Sequence, residues 1–156
     1  MTTNNPLAPV VKERQVACDA ATAFDRFTRD IHRWWPTHLH SLEQAEHTHV
    51  AFEPIVGGRL FERGADGIER PWGTVEAWEP GARVAFSWHV GRGAETAQAI
   101  VVTFEPHGQG TRVRLVHAGW ERLGERAAGA RAEYDVGWDD VFGVRYGRFA
   151  DGGAPA

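Results

Sequence analysis

The spacing of hydrophobic and polar positions changes twice along this chain of 156 residues. From Val50 to His117 apolar and polar residues alternate with a period near two, which is typical of β-strands with one buried face. Before and after this segment, apolar residues recur at the spacing of amphipathic helices. The pattern predicts an α+β fold in which a strand and two short helices precede a six-stranded meander and a long C-terminal helix.

The strands are predicted at residues 10–17, 48–53, 59–63, 74–78, 83–90, 99–105 and 111–117. Short connections rich in Gly, Pro and Asp separate the last six strands and favour antiparallel neighbours. Along the last strand, Val113, Leu115 and His117 share one face, and the two strands before it have an apolar face as well. One face of the sheet must therefore be covered by another layer.

The helical segments supply that cover. Asp19 is predicted to cap a helix over residues 20–28, and Asp30 a shorter one that ends before Pro36. Residues 130–149 form the predicted long helix, which packs against the apolar face of the sheet. Its helically spaced positions are Tyr134, Gly137, Trp138, Val141, Phe142 and Tyr146.

The composition narrows the class of protein. The chain is 42% hydrophobic and has 17 basic against 21 acidic residues, a balance that argues against a nucleic-acid binder. No apolar run approaches the roughly 18 residues of a membrane-spanning helix, and Cys18 as the single cysteine excludes an internal disulfide. We expect one cytoplasmic domain over residues 10–149, with flexible ends at 1–9 and 150–156.

Short motifs then occur in a fixed order along nearly the whole chain. They are Trp34-Trp35-Pro36, Phe52-Glu53-Pro54, Gly57-Gly58-Arg59-Leu60-Phe61-Glu62, Trp72-Gly73-Thr74-Val75, Trp78-Glu79-Pro80, Phe86-Ser87-Trp88, Gly110-Thr111-Arg112-Val113, His117 and Gly137-Trp138. Together with the element order, this set resembles the START/SRPBCC superfamily. Within it, the chain is similar to small bacterial single-domain proteins of the branch named after activators of heat-shock-protein ATPase (AHSA-type).

The resemblance implies a helix-grip (START/Bet v-like) fold, a curved antiparallel sheet wrapped around a long C-terminal helix. It also implies a cavity between sheet and helix that accepts hydrophobic molecules, and it suggests a role in stress response. Activation of a chaperone is not carried over, because the eukaryotic activators have an additional domain.

Seven residues on the covered faces are candidates for lining a ligand pocket. They are Trp35, Phe61, Trp72, Phe86, Trp88, His117 and Trp138. Aromatic walls with a few polar groups are typical of small-molecule sites, although plain core packing explains each tryptophan equally well. Burial would lower the pKa of His117 and leave a neutral imidazole. The alternative is a core histidine bonded to a backbone carbonyl or a tryptophan indole.

A histidine-rich segment is a candidate metal site. His38, His40, His47 and His49 lie within twelve residues, and Glu43 and Glu46 lie between them. In an extended segment each His-x-His pair would place both imidazoles on one side, a geometry that can chelate zinc or nickel. A solvated polar loop is the alternative, and we predict neither a functional metal site nor a cofactor.

Catalytic signatures are missing from the sequence, which contains no G-x-S-x-G, no Walker loop and no H-E-x-x-H. Arg59 and Glu62 fall on opposite faces of one strand; the interpretations are a surface ion pair or one residue at the cavity mouth. The first hypothesis is therefore a non-catalytic protein that holds a hydrophobic or aromatic molecule between sheet and helix. The alternatives are a cyclase- or dehydratase-like enzyme using His117 and a co-chaperone or regulator-interaction protein. A homodimer is left open, and neither a nucleic acid nor a membrane is expected as partner.

Overall fold

The structure is a computed structural model that describes residues 7–37, 39–40 and 48–152. In this part of the chain, seven strands form one antiparallel sheet in the order β1-β7-β6-β5-β4-β3-β2. The strands are β1 (Val10–Val16), β2 (His49–Phe52), β3 (Arg59–Arg63), β4 (Glu69–Glu79), β5 (Arg83–Trp88), β6 (Gln98–His107) and β7 (Gly110–Ala118). The first strand, β1, pairs with the last strand, β7, so that β1 and β2 lie at the two edges of the sheet.

Two short helices, α1 (Ala20–Phe27) and α2 (Ile31–Trp34), connect β1 to β2. The Asp19 carboxylate accepts a hydrogen bond from the backbone N–H of Thr22 at 2.8 Å, so the predicted cap of α1 is confirmed. The predicted cap at Asp30 is wrong, because its side chain makes no capping bond. Its ψ of 15° lies outside the extended region in which a capping side chain reaches the first turn.

The long helix covers the sheet after 3-10 turns at Trp120–Arg126. It consists of α3 (Ala127–Trp138), a π-helical segment (Asp139–Tyr146) and α4 (Gly147–Ala150), which follow one another without a break. We call residues 127–150 the C-terminal helix. The predicted α+β helix-grip fold is thus confirmed, with this helix starting three residues earlier than expected.

The core lies between the inner face of the sheet and the helices. Alternation places the predicted faces inward, and Val113, Leu115 and His117 are all fully buried. The hydroxyl of Tyr146 on the C-terminal helix donates to the carbonyl of Ala23 on α1 at 2.9 Å. This bond joins the C-terminal helix to α1 within the core.

Strand β4 begins five residues before its predicted start at residue 74. The additional residues include Pro71 and Gly73, both of which are unusual in the interior of a strand. Here Pro71 pairs with Phe61 beside a register shift. A Cβ on Gly73 would lie 1.7 Å from the backbone oxygen of Ser87, so the close approach of two strands requires glycine.

Both ends of the described chain contact the body of the fold. Arg131 donates to the carbonyl of Ala8, and the carboxylate of Asp151 accepts from the backbone N–H of Ala17 at 2.8 Å. Asp151 also forms an ion pair with Arg14 at 2.9 Å. The predicted flexible ends otherwise fall outside the described residues, and the single-domain boundaries stay a prediction. Among the helices described, none has the length and apolarity needed to cross a membrane.

Candidate functional site

A half-open cleft of about 340 Å³ lies between α3 and the end of β5. Its walls come from the segment after α2, from the end of β5 with the loop that follows, and from one face of the C-terminal helix. The lining residues are Trp35, Leu39, His40, Trp88, Val90, Arg92, Ala130, Glu133, Tyr134, Gly137, Trp138 and Val141. The cleft is therefore a groove at the rim of a filled core rather than an enclosed cavity.

Three tryptophans form the floor of this cleft. The ring centroids of Trp35, Trp88 and Trp138 are 5.8–6.0 Å apart in all three pairs. The rings are tilted or edge-on to one another, which is the favourable arrangement for aromatic quadrupoles. Each residue is at most 8% exposed, so these rings are closely packed and only their edges at the surface of the core border the cleft.

One hydroxyl group is held at the edge of this floor. The indole N–H of Trp88 donates to the hydroxyl oxygen of Tyr134 at 2.9 Å. Because that oxygen serves as the acceptor, the phenolic proton can be donated to another group. Burial raises the pKa of Tyr134, so the phenol stays protonated at neutral pH.

Gly137 lies on the helix wall of the cleft and leaves open space there. A Cβ built on this residue meets no atom within 4 Å. A methyl group at position 137 would therefore project into open space without displacing its neighbours. Glycine is unfavourable inside a helix, and Gly137 differs from the equally open Gly129 of α3 in that it lines the cleft.

Charged groups lie at the mouth. Arg92 follows β5 in a turn, and Glu133 lies on α3 one residue before Tyr134. Both side chains are exposed and belong to the lining. The cleft thus combines an apolar aromatic floor with a polar rim.

His117 lies behind this floor and is fully buried. Its Nδ1 accepts a hydrogen bond from the indole of Trp138 at 3.1 Å, and its Nε2 faces Oε1 of Gln98 at 3.2 Å. The amide nitrogen of Gln98 donates to the carbonyl of Thr96, which leaves Oε1 as the acceptor for an Nε2–H proton. Desolvation lowers the pKa of His117 to about 3. Both ring nitrogens of this neutral imidazole are occupied, which disfavours acid or base chemistry by His117.

The structure brings together only part of the predicted lining set. Trp35, Trp88 and Trp138 line the cleft. Trp72 lies one layer deeper, 5.2 Å from Trp35 and 5.4 Å from Trp88 between ring centroids. Phe86 is also deeper and is 6.3 Å from Trp88.

Phe61 is placed elsewhere. Its ring lies beneath the guanidinium groups of Arg59 and Arg63, at 4.3 and 5.8 Å, and it is not part of the main core cluster. Strand alternation had suggested an inward position, but residues 60 and 62 occupy the inner face of β3 instead.

Glu62 is the buried polar residue that sequence reasoning missed. It is fully buried, and one carboxylate oxygen accepts from the indole of Trp72 at 2.8 Å. Arg59, on the opposite face, pairs with Glu53 at 3.0 Å and Glu69 at 2.9 Å, as a surface ion-pair interpretation expects. The sequence placed Arg59 and Glu62 on opposite faces of the strand but did not decide which of them faces inward, because charged residues in strands usually indicate the solvent face.

Two cleft residues outside the predicted set, Tyr134 and Gly137, could have been found from the sequence, because their helical spacing places them on the face of the long helix that packs against the sheet. Arg92 could not, because its neighbours Gly91 and Gly93 mark only a turn.

The histidine segment is described in part. His38 and His47 lie outside the described residues, while the carbonyl of His40 accepts from the indole of Trp35 at 2.6 Å. His49 stacks on His32 with ring centroids 4.6 Å apart, and burial together with His32 and Arg63 lowers its pKa. The described residues contain no group of three or more His, Cys, Asp or Glu side chains that could hold a metal ion. A metal site at His38, His40, His47 and His49 stays an untested hypothesis.

Comparison with known proteins gives a family and a fold. Residues 17–143 match a family model described as Activator of Hsp90 ATPase homolog 1-like protein. Among proteins of curated function, no significant match is found. The chain is 35% identical to an anthrahydroquino-gamma-pyrone synthase, Txn09, whose structure was determined as a complex. That similarity covers 81% of this chain and 85% of the synthase, with a TM-score of 0.57.

Two further structures share the fold at lower identity. Protein SSP2350 from Staphylococcus saprophyticus is 17% identical over 95% of this chain and 97% of its own, with a TM-score of 0.65. The Aha1 dimer from Colwellia psychrerythraea is 15% identical over 86% and 96%, with a TM-score of 0.58.

Proposed function

The chain belongs to the family of activator of Hsp90 ATPase homolog 1-like proteins, of the START/SRPBCC type, and from this premise we propose that it binds a flat aromatic small molecule in the cleft between the sheet and the C-terminal helix. The observation that carries the proposal is the floor formed by Trp35, Trp88 and Trp138. Ring faces and edges at this spacing offer offset and edge-on contacts to a planar guest.

The size and polarity of the cleft support this proposal. A volume of about 340 Å³ lies at the lower end of the roughly 300–1,000 Å³ of small-molecule sites. A few polar groups at the rim, among them the hydroxyl of Tyr134, can fix the orientation of a ligand whose rings lie on the floor. Binding without turnover is the simplest function of this arrangement, because His117 is buried and satisfied behind Trp138.

Tryptophan fluorescence tests the proposal directly, since three indoles form the floor. We would titrate the protein with 1,4-dihydroxyanthraquinone and follow the quenching of its emission. Gly137→Leu fills the cleft and should raise the dissociation constant at least about tenfold, the equivalent of about 1.4 kcal/mol. Gly129→Leu is the matched control, because Gly129 lies exposed on the same helix α3 and outside the lining.

Equal affinity of wild type and Gly137→Leu would overturn the proposed site, and so would the absence of saturable quenching in wild type. A tryptophan substitution is a poorer test. Trp88 and Trp138 are buried and hydrogen-bonded, so truncating either one would disturb the fold together with the cleft.

A second candidate function is enzymatic cyclisation of an aromatic polyketide-like molecule, favoured by the 35% identity to the pyrone synthase. In such a step a phenol oxygen adds to a side-chain ketone, a C–O bond forms, and the resulting hemiketal loses water to give the pyrone ring. Tyr134, rather than His117, is the group placed to donate a hydrogen bond to that ketone.

Incubation with an o-hydroxyaryl 1,3-diketone, followed by mass spectrometry for the dehydrated product, tests the cyclase. Dehydration at the uncatalysed rate would count against it and leave the binding function intact. A co-chaperone or regulator-interaction role, and a homodimer like that of the Colwellia protein, stay predictions.

A further inference from the structure

Arg92 is held in place at the mouth of the cleft. Its backbone N–H donates to the carbonyl of His89 at 2.9 Å, and its own carbonyl pairs with Nδ1 of His89 at 3.2 Å. The backbone N–H of His89 in turn donates to the carbonyl of Trp72 on β4 at 2.7 Å. The turn that carries Arg92 is therefore fixed to the sheet at the end of β5.

The guanidinium group of Arg92 is available to a ligand. Within residues 7–37, 39–40 and 48–152, no carboxylate forms an ion pair with it. Arginine presents its donors in a planar fork that matches a carboxylate, and it keeps its charge at any physiological pH.

Tyr134, on the helix wall of the same cleft, provides a second donor. Its hydroxyl oxygen accepts from Trp88, so its proton is free for a ligand atom. The charges of Arg92 and Glu133 act on this hydroxyl in opposite directions, and Arg92 has the larger effect on the pKa of Tyr134. Arg92 and the hydroxyl of Tyr134 therefore supply donors for an anionic group at the polar end of the cleft, with Glu133 as the opposing charge.

We propose that the cleft selects aromatic molecules that carry an anionic oxygen substituent, which Arg92 and Tyr134 bind at the mouth while the rings lie on the tryptophan floor. This inference rests on the proposed function and names the ligand class for the same site. Glu133, as the opposing charge at the mouth, reduces this selectivity.

Two matched probes test the inference: anthraquinone-2-carboxylate and the neutral anthraquinone-2-carboxamide, each titrated by tryptophan quenching. The rings are the same, so the difference in affinity reports the polar substituent. Wild type should prefer the carboxylate by about threefold to fivefold, since an ion pair with an exposed guanidinium group is screened by solvent. Arg92→Gln should abolish this preference, because it should weaken binding of the carboxylate more than binding of the carboxamide.

Two further variants sharpen the result. Glu133→Gln should strengthen binding of the carboxylate, because it removes the opposing charge. Arg114→Gln changes the net charge by the same amount as Arg92→Gln but lies on the outer face of β7, so it should alter neither affinity. All four proteins should unfold at the same denaturant concentration, because the substituted side chains are exposed.

The outcomes separate the two proposals. Equal affinity of wild type for both probes would overturn the anion selectivity. So would an equal loss of affinity for the carboxylate in Arg92→Gln and Arg114→Gln. In both cases the proposed binding of aromatic molecules would stand. Failure of both probes to bind wild type, or binding that Gly137→Leu does not weaken, would overturn the proposed function itself.

Discussion

The indole N–H of Trp138 donates a 3.1 Å hydrogen bond to Nδ1 of His117, which joins the C-terminal helix to the last strand of the sheet. Since the other ring nitrogen of His117 is engaged by Gln98, the imidazole has one tautomer and one orientation. Trp138 is also part of the floor of the cleft. A core histidine therefore sets the position of a side chain that the proposed ligand would contact.

Removing the donor of this bond should destabilise the protein. Trp138→Phe leaves the buried Nδ1 of His117 without a partner, which costs about 1–3 kcal/mol of unfolding free energy. Urea unfolding measures the change, with Trp78→Phe as control, because Trp78 is half-buried and lies outside this network. An equal loss in the two variants would contradict the structural role of the bond.

Acidification should destabilise the protein through His117. Its pKa is about 3 in the folded state and near 6.5 when unfolded, so between these values the unfolded chain binds the extra proton. The free energy of unfolding is therefore unaffected by the titration of His117 above pH 6.5. It falls as the pH drops from 6.5 towards 3, with a slope of up to about 1.4 kcal/mol per pH unit.

The variant His117→Asn isolates this effect, since asparagine keeps an acceptor for Trp138 and has no proton to gain. Urea unfolding from pH 7 to pH 4.5 should show a shallower pH dependence in the variant than in wild type. Parallel curves would show that His117 does not control the acid sensitivity.

The hydrogen bond between the indole of Trp72 and the buried carboxylate of Glu62 should stabilise the folded protein. Glu62→Leu leaves the indole N–H of Trp72 without its acceptor and should cost about 1–3 kcal/mol, whereas Glu62→Gln keeps an acceptor oxygen and should cost less. A double-mutant cycle with Trp72→Phe should give a coupling of about 1 kcal/mol in urea unfolding. Additive effects would contradict a direct bond.

The close approach of β4 and β5 makes Gly73 irreplaceable. Gly73→Ala places a methyl group 1.7 Å from the backbone oxygen of Ser87, so the strands must separate. We expect a loss above the roughly 0.5–3 kcal/mol of ordinary substitutions. Gly129→Ala, in an open helical position, should instead stabilise by about 0.5–1 kcal/mol. Thermal unfolding of both variants would decide, and a mild effect at Gly73 would contradict the geometry.

The two aspartates before α1 and α2 should differ in their effects on stability. Asp19→Ala removes a capping bond and should cost about 1 kcal/mol. Asp30→Ala should be near neutral, because this side chain caps nothing. Thermal unfolding compares them, and a reversed order would show that the cap assignment is wrong.

Sequence reasoning identified the pattern of the fold more reliably than the chemistry of the site. Alternation placed Val113, Leu115 and His117 on the covered face, and helical spacing placed Tyr134 and Trp138 against it. It failed where a residue's role depends on a distant neighbour. Residues 69–73 were left out of the predicted strand, and the sequence did not decide whether Arg59 or Glu62 faces inward, because the partners Ser87 and Trp72 lie on other parts of the sheet.

The amino-acid sequence alone thus determined the element order, the covered face of the sheet and the family, because these follow from local periodicity and from motifs read in order. The tertiary structure alone decided which residues border the cleft, and that Arg92 lies at its mouth. Trp88 and Tyr134 are 46 residues apart in the chain, yet 2.9 Å separates their polar atoms. Such contacts depend on how far the helix stands from the sheet, which is set by the packing of whole side chains.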